Sequence, residues 1–362
     1  MAHLPSRPEM ESAYTRRDAS YDGIFWLGVR TTGIFCRPSC SARKPHPENV
    51  EFFASPKEAV FAGYRPCKRC RPMETNGAPP EWVGKLLREI EQHPTDRFSD
   101  PRIRSMGIDP ARARRYFLKH YGMTFQAYTR GRRLGLSLEQ IRKGADLDDV
   151  SLGTGYSSHS GFRDAFVRTF GNPPGKSRTA DCVVTCWIES PLGPLVAAAT
   201  SDGVCMLEFS DRRMLEHQFT RLRRHFKSAI VPGTNPHLTR LQQELQEYFA
   251  GTRTQFSVPI IFPGNPFEQK VWKALLTIPP GTTASYQDIA RKIGSPKSVR
   301  AVGRANGMNR IAILIPCHRV INKDGSLGGY GGGLWRKKRL LELEGSKASL
   351  EFFEPWPSAR AR

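Results

Sequence analysis

Four cysteines in the first fifth of the chain constrain its fold more than any other feature. Three residues lie between Cys36 and Cys40, two between Cys67 and Cys70, and 26 between the two pairs. Two close pairs flanking a folded segment are the spacing of a tetrathiolate zinc site, so one Zn2+ bound by Cys36, Cys40, Cys67 and Cys70 is expected. Two disulfides would be the alternative. They require an oxidising compartment, and the opening Met-Ala-His-Leu-Pro-Ser-Arg-Pro-Glu-Met is not a signal peptide. Reduced thiols and a cytoplasmic setting follow. Cys182, Cys186 and Cys205 lie in apolar, strand-like runs and read as core residues whose further role is open.

Charge narrows the partner. The net charge is +21 over 362 residues, and each third of the chain carries a basic excess. A basic tail would concentrate that charge; an even spread fits several modules that each meet phosphate. No apolar stretch approaches the roughly 20 residues of a membrane span, so no membrane partner is expected. The length allows about two to four domains.

The strongest chemical signal lies at residues 313–320, Ile-Leu-Ile-Pro-Cys-His-Arg-Val. Here Cys317 precedes His318 directly and follows an apolar, strand-like segment and a proline. An imidazole beside a thiol can take its proton, and the thiolate is the reactive form. A glycine-rich loop follows at residues 325–333, where backbone can approach a ligand closely.

The run from residue 265 to 345 resembles the DNA-protein alkyltransferases: FEQKVWKALLTIPPGTTASYQDIARKIG, then SVRAVGRANGMNRIAILIPCHRV, then GGLWRKKRLLELEG. That family moves an alkyl group irreversibly from O6 of guanine onto its own cysteine. The resemblance makes Cys317 the acceptor and His318 a water-linked base. It also makes Glu344 the group that orients the histidine, and Asn309 the brace of the active-site turn. Tyr286 and Arg300 would handle the phosphate and the vacated base stack. Where some members carry a serine after the tyrosine matching Tyr330, this chain has Gly331, so recognition there rests on backbone.

The chemistry of the residues agrees. Attack on a methyl carbon needs a low-pKa sulfur and a stabilised leaving oxygen, and the Tyr286 hydroxyl can donate a proton to the purine. The nucleotide must leave the stack to reach a buried thiol. Residues 285–307 read as a helix-turn-helix, with Ser285 starting one helix, Gly294 in the turn, and Ser295 or Pro296 starting the next. Ala301, Gly303, Ala305 and Gly307 would let that second helix approach a groove closely.

The zinc region carries a second resemblance, to the N-terminal domain of the Ada family of adaptive-response proteins, through DGIFWLGVRTTGIFCRPSCSARKPHPENVEFF and AGYRPCKRCRP. It implies that Cys36, besides ligating zinc, accepts a methyl group from a DNA methylphosphotriester. Arg37, Arg43, Arg65, Lys68 and Arg69 crowd the ligands and would draw a phosphate backbone toward the sulfur. A purely structural zinc knuckle is the alternative.

Residues 81–178 read as helical, punctuated by Pro79-Pro80 and Pro173-Pro174. Two helix-turn-helix units are expected. In the first, Asp109 caps a helix that begins at Pro110 and stops at Gly122. In the second, Ser157 or Ser158 precedes a helix from His159 to Phe170, with Phe162, Phe166 and Phe170 on its buried face. This stretch resembles the AraC-type regulator domain. Arg112, Arg115 and Arg163 are the candidate base-reading side chains. The arginine-rich first unit also fits a plain packing helix.

The expected architecture is a multidomain α/β chain in five parts. Residues 1–78 form a small zinc-binding, methylphosphotriester-accepting domain, and 79–180 an all-α double helix-turn-helix domain. Residues 181–262 form the RNase H-like α/β subdomain of an alkyltransferase domain, 263–348 its winged or helix-turn-helix active-site subdomain, and 349–362 a tail. Together the resemblances imply a methylated-DNA-protein-cysteine methyltransferase that is consumed in one turnover and also activates transcription when methylated. Its partners would be double-stranded DNA, both alkylated and promoter, and RNA polymerase. The alternatives are an AraC-type zinc regulator that only senses alkyl damage, or a repair enzyme without regulatory activity.

Overall fold

Local hydrogen bonding sets most element boundaries in this chain. In the computed structural model, residues 4–73, 80–177, 181–212 and 214–345 are described; the tail expected at 349–362 lies outside them. The chain divides into two compact units. One contains Met1–Pro80, Lys270–Asn309 and Ile315–Arg362; the other contains Glu81–Gln269 and Arg310–Leu314.

The first unit begins with α1 (Arg7–Arg16), followed by a 3-10 turn at Ala19–Tyr21 capped by the Asp18 carboxylate. Strands β1 (Trp26–Val29), β2 (Ile34–Cys36), β3 (Val50–Phe53) and β4 (Arg65–Pro66) form one sheet in the order β3-β1-β2-β4. β1 runs antiparallel to β2 and β3, and β2 runs parallel to β4. Between β3 and β4, α2 (Pro56–Phe61) starts where the Ser55 hydroxyl accepts from the Glu58 amide, with proline at its first position. Cys36 lies buried in a cluster with Tyr14, Leu27 and Val50, so the sheet and the cysteine site share one core.

The second unit opens with six helices: α3 (Glu81–Gln92), α4 (Asp100–Ser105), α5 (Pro110–Tyr121), α6 (Phe125–Arg142), α7 (Leu147–Gly153) and α8 (His159–Phe170). The helix-turn-helix pairs are α4–α5 and α7–α8. Asp109 accepts from the Arg112 amide, and Gly122 ends α5 in the left-handed region. Ser158, rather than Ser157, caps α8. Phe162 and Phe166 are buried, as the four-residue spacing requires, with Phe170 packed beside them. Part of the arginine excess in the first pair is structural: Arg102 pairs with Asp96 at 2.7 Å and Glu89 at 3.2 Å, and its guanidinium lies 4.4 Å over the Phe98 ring.

The same unit continues as a sheet ordered β7-β6-β5-β8, from β5 (Val183–Ile188), β6 (Leu195–Ala199), β7 (Val204–Phe209) and β8 (Ile230–Pro232). Helices α9 (Leu215–Phe226) and α10 (Pro236–Phe249) accompany it. Cys182 and Cys205 are buried, Cys186 is half-buried, and all three are free thiols.

The Cys317 region has α11 (Pro266–Leu275), β9 (Ala284–Ser285), α12 (Tyr286–Lys292), α13 (Val299–Gly307), β10 (Val320–Ile321) and α14 (Leu334–Leu343). Ser285 and Asp288 form a reciprocal capping box that fixes the start of α12. The second helix begins at Val299, later than Ser295 or Pro296 would place it. Ser295–Ser298 instead closes a turn through the Ser298 amide and the Ser295 carbonyl, and Pro296 occupies the position where its fixed φ suits a turn. Ala305 does not line a groove as its small size suggested: it is buried, and its carbonyl accepts from Trp272 Nε1 at 2.9 Å.

The apolar run before Pro316 is not a strand either. Leu207 of β7 exchanges two backbone bonds with Arg310 and Ala312, an isolated bridge, after which the chain turns. Ile313 is buried with φ +71°, a left-handed conformation that costs a β-branched residue about 1–3 kcal/mol. Among the described residues no helix is long and apolar enough to cross a membrane.

Gly122 gives a direct test of packing in the second unit. Its φ is +65°, and a Cβ there would lie 2.7 Å from Phe219 Cδ2 and 2.9 Å from Cγ of a fully buried ring. Gly122→Ala should lower unfolding free energy by about 2–4 kcal/mol in denaturant titration, from strain plus overpacking.

Candidate active sites and metal centre

The turn after Ile313 delivers Cys317 to the start of a 3-10 turn, Cys317–Arg319, where its amide donates to the Ile315 carbonyl at 2.7 Å. Asn309 fastens both sides of that turn. Its Nδ2 donates to the Ile315 carbonyl at 2.9 Å and lies 3.0 Å from Cys317 Sγ. Asn306 Nδ2 lies 3.5 Å from the Cys317 carbonyl. Cys317 is 5% exposed, so a reacting carbon must be brought into the protein to meet the sulfur.

His318 is fully buried, with Nε2 2.9 Å from Glu344 Oε1. Glu344 is held from a second side: Arg319 donates through Nε at 2.7 Å and Nη2 at 2.8 Å, while its Nη1 donates to the Ile278 carbonyl at 2.6 Å. Burial works to raise the Glu344 pKa, but the hydrogen bonds from His318 and Arg319 outweigh it and hold the carboxyl well below its usual range. An ionised Glu344 only accepts, so the His318 proton sits on Nε2 and Nδ1 presents a lone pair. Among the described residues Nδ1 has no hydrogen-bond partner. Burial lowers the His318 pKa against the pull of Glu344, keeping the ring neutral and able to take a proton.

Two further groups share this environment. Tyr286 is half-buried at the start of α12; burial and then the charge of Cys317 push its hydroxyl pKa up. Gly303 of α13 places its Cα face beside the Tyr286 ring, 3.8 Å from Cδ1 to a hypothetical Cβ. Arg300 is exposed on the same helix. Lys337, inside the basic run of α14, is fully buried: its ammonium donates to the carbonyls of Val320 and Leu327 and lies 3.3 Å from that of Gly329. Burial pushes its pKa down to about 8, and the Cys317 sulfur acts in the opposite direction. Lys337 therefore anchors the glycine-rich loop and sets positive charge near the thiol.

The four N-terminal cysteines converge. Their Sγ atoms all lie within 4.8 Å of one another. A tetrahedron with Zn–S bonds of about 2.3 Å has edges of roughly 3.8 Å, so a slight contraction closes this set on one ion. As thiols they interfere: hydrogen bonding with Cys40 and Cys70, and then burial, pushes the Cys36 pKa far up, a situation a divalent cation reverses. The Arg37 amide points at Cys70 Sγ at 3.4 Å, and Asp22 accepts from the Ser39 amide at 2.9 Å and from its hydroxyl, fixing the Cys36–Cys40 loop. Arg43, Arg65, Lys68 and Arg69 are exposed near the ligands, while Arg37 is half-buried with Nη2 donating to the Arg71 carbonyl at 2.8 Å.

On the helix-turn-helix pairs, Arg115 of α5 and Arg163 of α8 are exposed. Arg112 is exposed too, with its guanidinium 4.9 Å over the Trp82 ring.

Four family descriptions match in chain order. They are the metal binding domain of Ada (residues 9–73), a helix-turn-helix domain (103–180), and the ribonuclease-like (183–262) and DNA binding (266–346) domains of 6-O-methylguanine DNA methyltransferase. Over 336 residues the chain is 35% identical to the bifunctional transcriptional activator/DNA repair enzyme Ada of Escherichia coli K12, covering 91% of this chain and 93% of that protein. The chain belongs to the Ada family. Its C-terminal part is also similar to the methylated-DNA-protein-cysteine methyltransferase of Mycobacterium tuberculosis H37Rv, 48% identical over 161 residues, 44% of this chain and 92% of that one. The crystal structure of Mycobacterium tuberculosis OGT in complex with DNA aligns at 42% identity and a TM-score of 0.39, over 48% of this chain and 99% of that chain.

Two residues of this Ada-family site had no role in the sequence reading. Arg319 stands inside the Pro-Cys-His-Arg-Val run, and its adjacency to His318 was the available signal. Lys337 had none, because a lysine between Arg336 and Lys338 reads as solvated charge.

Replacing Glu344 by Gln removes the charge and weakens the hydrogen bond that raise the His318 pKa, so that pKa falls further. Single-turnover methyl transfer should slow roughly 10²-fold. The acid limb of the rate, which in the wild type falls below the ordinary histidine value of about 6.5, should move to still lower pH in Glu344→Gln. A shift to higher pH contradicts the assignment.

Proposed function

We propose that this chain is a DNA repair protein that takes one methyl group from O6 of guanine onto Cys317 and one from a DNA methylphosphotriester onto Cys36. We propose further that methylation turns it into a transcriptional activator of alkylation-response genes. The observation that carries the first part is the line Cys317–Asn309 and His318–Glu344: a buried sulfur braced by an amide, beside a neutral imidazole whose other nitrogen is fixed by an ionised carboxylate. A structural cysteine has no need of that arrangement.

In the O6 reaction, His318 Nδ1 takes the Cys317 proton through a water, leaving a thiolate whose charge Lys337 favours. The sulfur attacks the methyl carbon in line, the S–C bond forms as the C–O6 bond breaks, and the electron pair stays on the guanine oxygen. Tyr286 supplies a proton to the departing purine. Arg300, on the exposed side of α13, fills the space left when the nucleotide is flipped out. No step restores the thiol, so each sulfur serves once.

At the other site, Cys36, Cys40, Cys67 and Cys70 hold zinc, which supplies the positive charge that keeps four thiolates deprotonated at neutral pH. Arg37, Arg43, Arg65, Lys68 and Arg69 draw the phosphate backbone to Cys36, which accepts the methyl group as the phosphotriester becomes a diester. The four-thiolate site carries about −2 with its ion and about −1 once Cys36 is a thioether, which lessens repulsion from phosphate. Arg112, Arg115 and Arg163 read promoter bases from α5 and α8, and as an activator the protein contacts RNA polymerase.

Incubation with duplexes labelled either at O6-methylguanine or at a methylphosphotriester, followed by peptide mapping, tests the reading. Label is expected on Cys317 from the first and on Cys36 from the second. Cys317→Ala should abolish only the first and Cys36→Ala only the second; label elsewhere contradicts the assignments. In a salt-matched titration, Cys36-methylated protein should bind operator DNA more tightly than unmethylated protein.

A further inference from the structure

Helix α14 carries Lys337 and ends at Glu344, so whatever orders this helix orders the Cys317 site. Its own N-terminus lacks the means to cap itself. The N-cap is Gly333, which offers no side chain to the orphan amides. The acceptor comes instead from the beginning of the chain: Asp18 Oδ2 accepts from the Leu334 amide at 3.2 Å, while Oδ1 accepts from the amide and hydroxyl of Ser20 at 3.0 and 2.7 Å. One carboxylate therefore caps both the 3-10 turn of the zinc-binding domain and the helix of the active-site domain.

Three other observations place the same surfaces together. Gly333 has φ +93°, and a Cβ there would lie 2.3 Å from Ser20 Cβ and 2.8 Å from Asp18 Oδ1, so the Gly333 backbone meets these two side chains as closely as only glycine allows. Leu334 and Trp335 pack against a cluster of Met10, Ala13, Tyr21 and Phe25. One turn along, Lys338 Nζ lies 3.7 Å from Glu9 Oε2 with both groups largely buried, and Glu9 also accepts from the Tyr21 hydroxyl at 2.8 Å. Burial lowers the Lys338 pKa to about 8 and raises that of Glu9, the signature of charges that depend on each other once removed from water.

We propose that the zinc-binding domain docks on the N-terminal half of α14, through Asp18, Glu9 and the Met10–Tyr21–Phe25 cluster, and acts as a positioning element for the Cys317 site. Asp18, Glu9 and Lys338 are positioning residues: they act through the helix that places Lys337 and Glu344. Because a structural metal site contributes folding free energy to the domain it closes, metal occupancy at the four cysteines is thereby linked to the order of the second acceptor site. The consequence for transfer at Cys317 rests on the function proposed above; the dock itself does not.

The test uses the full chain loaded with zinc and two readouts: hydrogen exchange of the α14 amides and single-turnover transfer of an O6-methyl group. Lys338→Glu and Glu9→Lys are each expected to speed exchange at residues 334–338 by about tenfold or more and to slow transfer by about three- to tenfold. The double variant Glu9→Lys/Lys338→Glu should recover most of both. Should a single variant fail to fold, wild-type protein stripped of zinc by a chelator must still show the faster α14 exchange. Unchanged α14 exchange in the variants or after zinc removal overturns the dock. Faster exchange with unchanged transfer overturns the positioning role while leaving the dock. Loss of transfer in the wild type would count against the proposed function alone.

Discussion

The carboxylate of Glu344 is the interaction on which the Cys317 site depends. It receives one hydrogen bond from His318 and two from Arg319, all at 2.7–2.9 Å, within a buried pocket. Alone, such a charge would be costly to bury; removal of one partner would leave the others uncompensated. Held as it is, it fixes the imidazole tautomer and orients the nitrogen that can relieve the thiol of its proton. Arg319 extends the network to the Ile278 carbonyl, and Lys337 ties the same helix to the carbonyls of Val320, Leu327 and Gly329. A single turn and a single helix thereby assemble a buried thiol, an imidazole, a carboxylate and a nearby positive charge.

The N-terminal site solves the same chemical problem differently. There a cluster of four sulfurs from a hairpin edge and a knuckle is arranged for a cation, whose charge would take the place of a base. In the mechanism proposed above a buried sulfur is ionised at each site, at one by giving its proton to a neutral histidine and at the other by metal charge. Both also surround the sulfur with fixed groups: Asn309 at Cys317, and Asp22 and the Arg37 amide around the cysteine cluster. Such preorganisation suits a protein that acts once and has no later cycle in which to correct its geometry.

Much of this was legible in the sequence, because the informative residues carry local physical signals. Asp109 and Pro110 announce a helix start, Gly122 its end, and the spacing of Phe162, Phe166 and Phe170 its buried face. The cysteine spacing gave the metal centre without a structure. What escaped was long-range or contrary to composition. Lys337 sits in a basic run that reads as solvated, yet its ammonium is satisfied by loop carbonyls. Ile313 adopts a left-handed backbone that its β-branched side chain argues against, because the bridge to Leu207 and the turn to Cys317 leave no room for a continuing strand. The cap of α14 could not be read at all: Gly333 signals only freedom, and its partner Asp18 lies at the other end of the chain.

In the proposed function two sulfurs act as single-use acceptors. The most direct measurement is intact-protein mass after exposure to excess duplex carrying both O6-methylguanine and methylphosphotriesters. The expected mass rises by one methyl group on Cys317 and one on Cys36, after which repair stops however much damaged DNA remains. Protein of unchanged mass that continues to remove methyl groups would contradict it.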